Sequence, residues 1–100
     1  MGTANLALRF PGSATVAQIS QSATTVTIAA ANLARRGLNI SNDAPVTLFV
    51  KLGASASVFD YTVKMPPNAN YELPFPDYTG LITGVWSAAG AGFALVTEMT

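Results

Sequence analysis

The chain has 100 residues, of which five are basic and five acidic; half are apolar, and there is no histidine and no cysteine. A free globular domain carries about a quarter charged residues, so the surface here must be built from Ser, Thr, Ala, Asn and Gly, which are cheaper to bury against a neighbour than an unpaired ammonium or carboxylate. The composition excludes imidazole proton shuttles, thiolate nucleophiles, disulfides and imidazole or thiolate metal sites, and a net charge of zero removes the electrostatic drive towards nucleic acid or anionic lipid.

A chain of this length holds one domain with a modest core. No apolar run approaches the ~20 residues that cross a bilayer. The amino end lacks the basic start and apolar stretch of a secretory signal, so synthesis in a cytoplasm is expected. The first residues, 1–12, end in Phe10, Pro11 and Gly12, stand outside the pattern that follows and read as an N-terminal arm. Residues 13–100 read as a single domain.

Within that domain the periodicity is that of β-structure. Residues 14–19 and 24–28 alternate β-branched or apolar side chains with small polar ones, with Val26 and Ile28 on one face and Thr25 and Thr27 on the other. Residues 29–36 are the one stretch with helical propensity. They are too short for a stable isolated helix and read as one or two helical turns or a loop, closed by Gly37. Arg35 and Arg36, the one adjacent basic pair, read as a solvated turn or as an ion-pair partner of a distant carboxylate.

Leu38 and Ile40 alternate with Asn39 and Ser41. The turn chemistry of Asn42, Asp43, Ala44 and Pro45 follows, and a strand starts at Val46, which together predict a hairpin. Asp43 is the expected Asx-turn residue. Leu48, Val50 and Leu52 share one face, placing Phe49 on an outer face or across a partner boundary. Residues 58–65 predict a strand with Phe59, Tyr61, Val63 and Met65 on one side, stopped by Pro66 and Pro67. Residues 71–73 are a short strand, and Pro74 and Pro76 bracket Phe75 in an extended loop. Ile82, Gly84 and Trp86 line one face of the next strand, residues 87–92 form a small-residue hairpin, and residues 93–99 close the domain. Strands at intervals of about 8 to 12 residues predict an all-β fold, an antiparallel β-sandwich or jelly roll of seven to eight short strands.

Little chemistry remains. Two carboxylates drawn from Asp43, Asp60, Glu72, Asp77 and Glu98 could in principle serve glycoside hydrolysis, but strand-end and turn carboxylates are the better account, and no enzyme activity is expected. Tyr61, Tyr71, Phe75, Tyr78 and Trp86 would suit a carbohydrate platform only if they lay outside the core. Asp43 and Asp77 have no calcium-ligand spacing. No cofactor or metal is expected.

From residue 35 onward the chain resembles small structural proteins of tailed bacteriophages. The resemblance is carried by Arg35-Arg36-Gly37-Leu38, Ile40, Asn42-Asp43, Phe49-Val50-Lys51-Leu52-Gly53-Ala54 and Tyr61-Thr62-Val63. It continues through Tyr71-Glu72-Leu73-Pro74, Tyr78-Thr79-Gly80, Gly84-Val85-Trp86 and Val96-Thr97-Glu98. It implies a virion component with a β-sandwich body: a capsid decoration or cement protein that binds the major capsid protein on the capsid surface, as a homo-oligomer and by analogy a trimer. No contact with nucleic acid or membrane is implied. Leu6, Leu8 and Phe10 of the arm are the candidate capsid contacts; Phe49, Phe75 and Tyr78 are the candidates for contact between copies. The alternative is a head-fibre or tail module that binds host-surface glycan.

Overall fold

A computed structural model describes residues 12–74 and 78–100. Eight strands follow in chain order: β1 (Ala14–Ser20), β2 (Val26–Ala29), β3 (Gly37–Asn42), β4 (Leu48–Leu52), β5 (Val63–Met65), β6 (Asn70–Glu72), β7 (Ile82–Trp86) and β8 (Phe93–Met99). They form two four-stranded sheets, ordered β1-β8-β3-β6 and β2-β7-β4-β5, with every pair antiparallel.

The pairings are nested: β1 with β8, β2 with β7, β3 with β6 and β4 with β5. A ribbon of four strands out and four strands back has been rolled so that alternate pairs fall in opposite sheets, and β3–β8 and β4–β7 contacts seal the roll. This is a jelly roll, the second of the two architectures the strand spacing predicts.

The apolar face of each strand explains the roll. Leu38 and Ile40 of β3, Leu48 and Val50 of β4, Ile82 and Trp86 of β7, and Ala94 and Val96 of β8 are all buried in one cluster between the sheets. Gly84 lies inward against Leu48 and against Ile28 of β2, which belongs to the same cluster; an added Cβ would stand 2.8 Å from Ile28 Cγ1 and 3.2 Å from Leu48 Cδ1. All five residues of β7 are buried, because the outer face of its sheet is covered as well: Phe49, Val85 and Ala56 make a second, smaller cluster there.

Three buried side chains tie the connections to this core. Asn42 donates from Nδ2 to the carbonyls of Val46 and Met65, both at 3.0 Å, while its Oδ1 accepts the Ala44 amide at 3.2 Å and the Trp86 indole N–H at 3.0 Å. The Asx-turn acceptor is therefore Asn42, not Asp43, whose carboxylate instead accepts the Ser41 hydroxyl. Gln21 bridges the β1–β2 and β7–β8 connections, donating to the Ala88 carbonyl and accepting the Gly92 amide. Arg35 is the third.

Several expectations are corrected. The two hairpins do not form: β3 and β4 lie in opposite sheets, as do β7 and β8. Period-two alternation buries an apolar face equally well whether two strands lie side by side or face each other across the core, and here the second arrangement holds. Of the two alternatives for residues 29–36 the loop is the one realised: Ala29 ends β2, and residues 30–36 form a connection with a turn at Leu33 and Ala34. The strand expected over residues 58–65 contracts to Val63–Met65, because Ser57 and Asp60 close a turn on each other through reciprocal backbone bonds of 2.9 and 3.1 Å.

Candidate functional site

The connections β2–β3, β4–β5 and β6–β7 lie together at one end of the roll. The pairing register fixes this: Ala29 and Leu52, which end β2 and β4, both stand opposite Ile82, which begins β7. Gly37 at the start of β3 and Ala14 at the start of β1 both stand opposite Met99. The chain thus enters β1 at the same end.

Arg35 ties the β2–β3 and β6–β7 connections together. Its side chain is wholly buried, and it donates from Nε to Glu98 Oε2 at 2.7 Å, from one terminal nitrogen to the carbonyls of Tyr78 and Gly80 at 2.7 and 3.1 Å, and from the other to the Ala30 carbonyl at 2.7 Å. A planar five-donor fork suits such a set of acceptors as no other side chain does. The ion-pair alternative in the sequence reading is the one realised. Asn32 continues the scaffold, donating its amide to the Thr79 carbonyl and accepting the Ala34 amide on Oδ1. These bonds lift Leu33 into solvent at 88% exposure.

The β4–β5 connection is built as firmly. Gly53 turns with φ of +146°, a conformation side chains resist. Thr83 of β7 donates its hydroxyl to the Gly53 carbonyl at 2.7 Å and accepts the Ala56 amide at 3.1 Å. At the tip, Phe59 donates its amide to Ser57 Oγ, and Lys51 binds Asp60 at 2.6 Å. The Tyr61 ring tilts against Phe49 with centroids 5.0 Å apart. The result is a braced projection with Phe59 94% exposed at its apex and Val58 and Tyr61 about 40% exposed beside it. A single exposed apolar residue needs no explanation, but a rigidly held aromatic one costs little further ordering when a partner covers it.

The residues singled out from sequence fall as follows. Leu6, Leu8 and Phe10 lie outside the described residues, as does Phe75. Phe49 sits on the outer face of its sheet, where Tyr61 of the same chain covers it and leaves it buried. Tyr78 is half-buried against the main core, its carbonyl bound to Arg35. The exposed set of Leu33, Val58, Phe59 and Tyr61 is a different group. Leu33 and Val58 gave no sequence signal beyond apolarity, and Phe59 read as part of a regular strand until the Ser57–Asp60 turn is recognised.

The aromatic residues do not form one platform. Trp86 is buried in the core, Tyr71 and Tyr78 pack against it, and Tyr61 lies on Phe49. Burial raises the Tyr71 hydroxyl above its ordinary pKa of 10.0. Glu98 and Asp60 are engaged in ion pairs, and Asp43 lies in the β3–β4 connection at the opposite end from Glu72, which ends β6. Among the described residues no three acidic side chains gather as a metal site, and no helix is long and apolar enough to cross a membrane. No protein-family model, curated protein or solved structure matches the chain.

Proposed function

We propose that the protein is a non-enzymatic virion component, a capsid decoration protein that settles on the capsid surface through its loop end, binds major capsid subunits and stabilises the head as a homo-oligomer. The observation that carries this reading is the braced presentation of Leu33, Val58, Phe59 and Tyr61 at the end where the chain enters β1, on a protein with so few charges to desolvate. The resemblance over residues 35–100 supplies the class of partner. Jelly rolls occur in viral capsid domains and also in lectins, so the architecture alone does not choose between them.

Binding would draw on apolar area at roughly 25 cal/mol per Å² before ordering costs, multiplied by the number of copies engaged at once. The test is to mix the purified protein with expanded capsids that lack it and image the particles. Ordered density on the outer surface, with raised resistance of the capsids to heat, is the expected result; bare capsids overturn the proposal.

A second reading rests on one specific feature: Phe59 and Tyr61 flank Asp60, a pattern of exposed rings beside a carboxylate that also suits a sugar face. A head-fibre or tail module of this kind would bind host-envelope glycan as the free protein and would leave capsids undecorated.

A further inference from the structure

Among the described residues, three of the four sheet edges are blunted. β5 and β6 have three residues each, and β5 runs into Pro66; β2 has four residues and an irregular register between Thr27 and Ala29. Short edge strands, proline and bulges are the usual protections against unwanted strand pairing. The fourth edge, β1, has none of them.

β1 runs for seven residues, Ala14–Ser20, in unbroken register with β8, with no charge, no proline and no bulge. Six of the seven residues are exposed, Val16 at 65%. The direction of its backbone follows from its two ends: the Ser13 carbonyl accepts from Thr100 and the Gln21 amide donates to Gly92, so the odd-numbered residues turn their N–H and C=O groups towards β8. By the period of two, Ala14, Val16, Gln18 and Ser20 turn theirs to the open side.

We propose that β1 pairs antiparallel with β1 of a second copy about a twofold axis at Ala17, joining the two β1-containing sheets into one continuous sheet. Ala14 then faces Ser20 of the other copy and Val16 faces Gln18, so every outward N–H and C=O of both strands is partnered. Ala17 meets its own counterpart at a position without hydrogen bonds, where the strands come closest and a methyl group fits. No like charges meet, since the strand has none.

Two further observations select a second copy as the occupant. No other edge of the described chain offers more than four residues, so only β1 matches β1 in length. The pairing is isologous and consumes both long edges, leaving only blunted ones, so growth stops at the dimer instead of running on into a fibre. This is a property of the free protein and does not depend on the capsid reading; a twofold pair also differs from the trimer that the phage resemblance implies.

The experiment is sedimentation equilibrium of the full chain with two variants. Gln18→Pro removes one outward N–H without touching the ladder to β8, and Val16→Lys places a charge on the joint. A wild-type dimer whose dissociation constant rises by about tenfold or more in both variants, each with unchanged far-ultraviolet circular dichroism, is expected. As an independent readout, the chain has no native cysteine, so Ala17→Cys should oxidise to a covalent dimer much faster than Thr15→Cys, which faces Ile19. A wild-type monomer at all concentrations, a trimer, or a dimer indifferent to both variants with equal cross-linking at residues 15 and 17 would overturn it.

Discussion

Arg35 and Glu98 meet at 2.7 Å across 63 residues of sequence, with the guanidinium wholly buried and the carboxylate side chain about one-quarter exposed. The contact pins the β2–β3 connection to β8, and the remaining guanidinium nitrogens hold the carbonyls of Ala30, Tyr78 and Gly80. The loop end that carries the exposed apolar residues is thus set on a polar knot.

Removing the cation leaves a partly buried carboxylate and three carbonyls without their donor. Arg35→Met should therefore destabilise the fold by about 3–5 kcal/mol. Glu98→Gln keeps an acceptor for Nε and should cost less. Urea unfolding of the two variants checks the order; an Arg35→Met loss no larger than that of Glu98→Gln would mean the carbonyl contacts contribute nothing.

Asn42 is the counterpart at the other end. Its side chain satisfies the Val46 and Met65 carbonyls, the Ala44 amide and the Trp86 indole together. Asn42→Ala should cost about 2–4 kcal/mol, since buried groups are left unpaired. Trp86→Phe removes one partner only, and a double-mutant cycle between the two should show a coupling of about 1 kcal/mol.

These two knots mark the limit of what the residue pattern discloses. Leu38, Ile40, Leu48, Val50, Ile82 and Trp86 are legible as core because alternation reports which side of a strand is apolar. Whether β3 lies beside β4 or across from it was not, since both placements bury the same side chains. Arg35 and Arg36 read alike, as turn charges or as partners of a distant carboxylate, and nothing local says which of them goes inside; only Glu98 and the carbonyls of Ala30, Tyr78 and Gly80 make Arg35 interior. The exposed set was hidden for a similar reason: a turn at Ser57–Asp60, closed by backbone bonds, interrupts an alternation that continues through Phe59 and Tyr61 on paper.

Gly84 and Gly92 are both places where a methyl group would collide, but with different neighbours. At Gly84 the added Cβ meets side-chain atoms of Ile28 and Leu48, which can shift in part; at Gly92 it meets the Ala44 Cα at 2.6 Å and Gln21 Oε1 at 2.6 Å. Gly84→Ala should cost about 1–3 kcal/mol by overpacking. Gly92→Ala should cost more, because backbone cannot rotate away. Thermal unfolding of the pair gives the ranking directly.

Tyr71 supplies a pH dependence. Burial raises its hydroxyl above 10.0 in the folded chain, so the unfolded chain loses this proton first as the solution becomes alkaline. The stabilisation is fully present below the unfolded value of about 10 and is lost as pH rises through the folded one. Tyr71→Phe should flatten the decline in stability above about pH 10. An unchanged alkaline slope would place the effect on another group.

Phe59 separates folding from recognition more cleanly than any other residue. At 94% exposure it contributes almost nothing to the core, and its turn is held by backbone bonds, the Ser57 hydroxyl and the Lys51–Asp60 pair, none of which needs the ring. Phe59→Ala should leave stability within about 0.5 kcal/mol of wild type. If the loop end is the surface that meets the capsid, the same substitution should weaken attachment about 30-fold or more, the loss of one well-packed aromatic anchor. Asp60→Ala distinguishes the second reading, because a sugar-binding face needs the carboxylate as well as the rings, whereas apolar docking loses only a surface ion pair of small worth. Capsid binding that falls with Phe59→Ala and survives Asp60→Ala therefore supports decoration, and glycan binding that falls with both supports the host-recognition role.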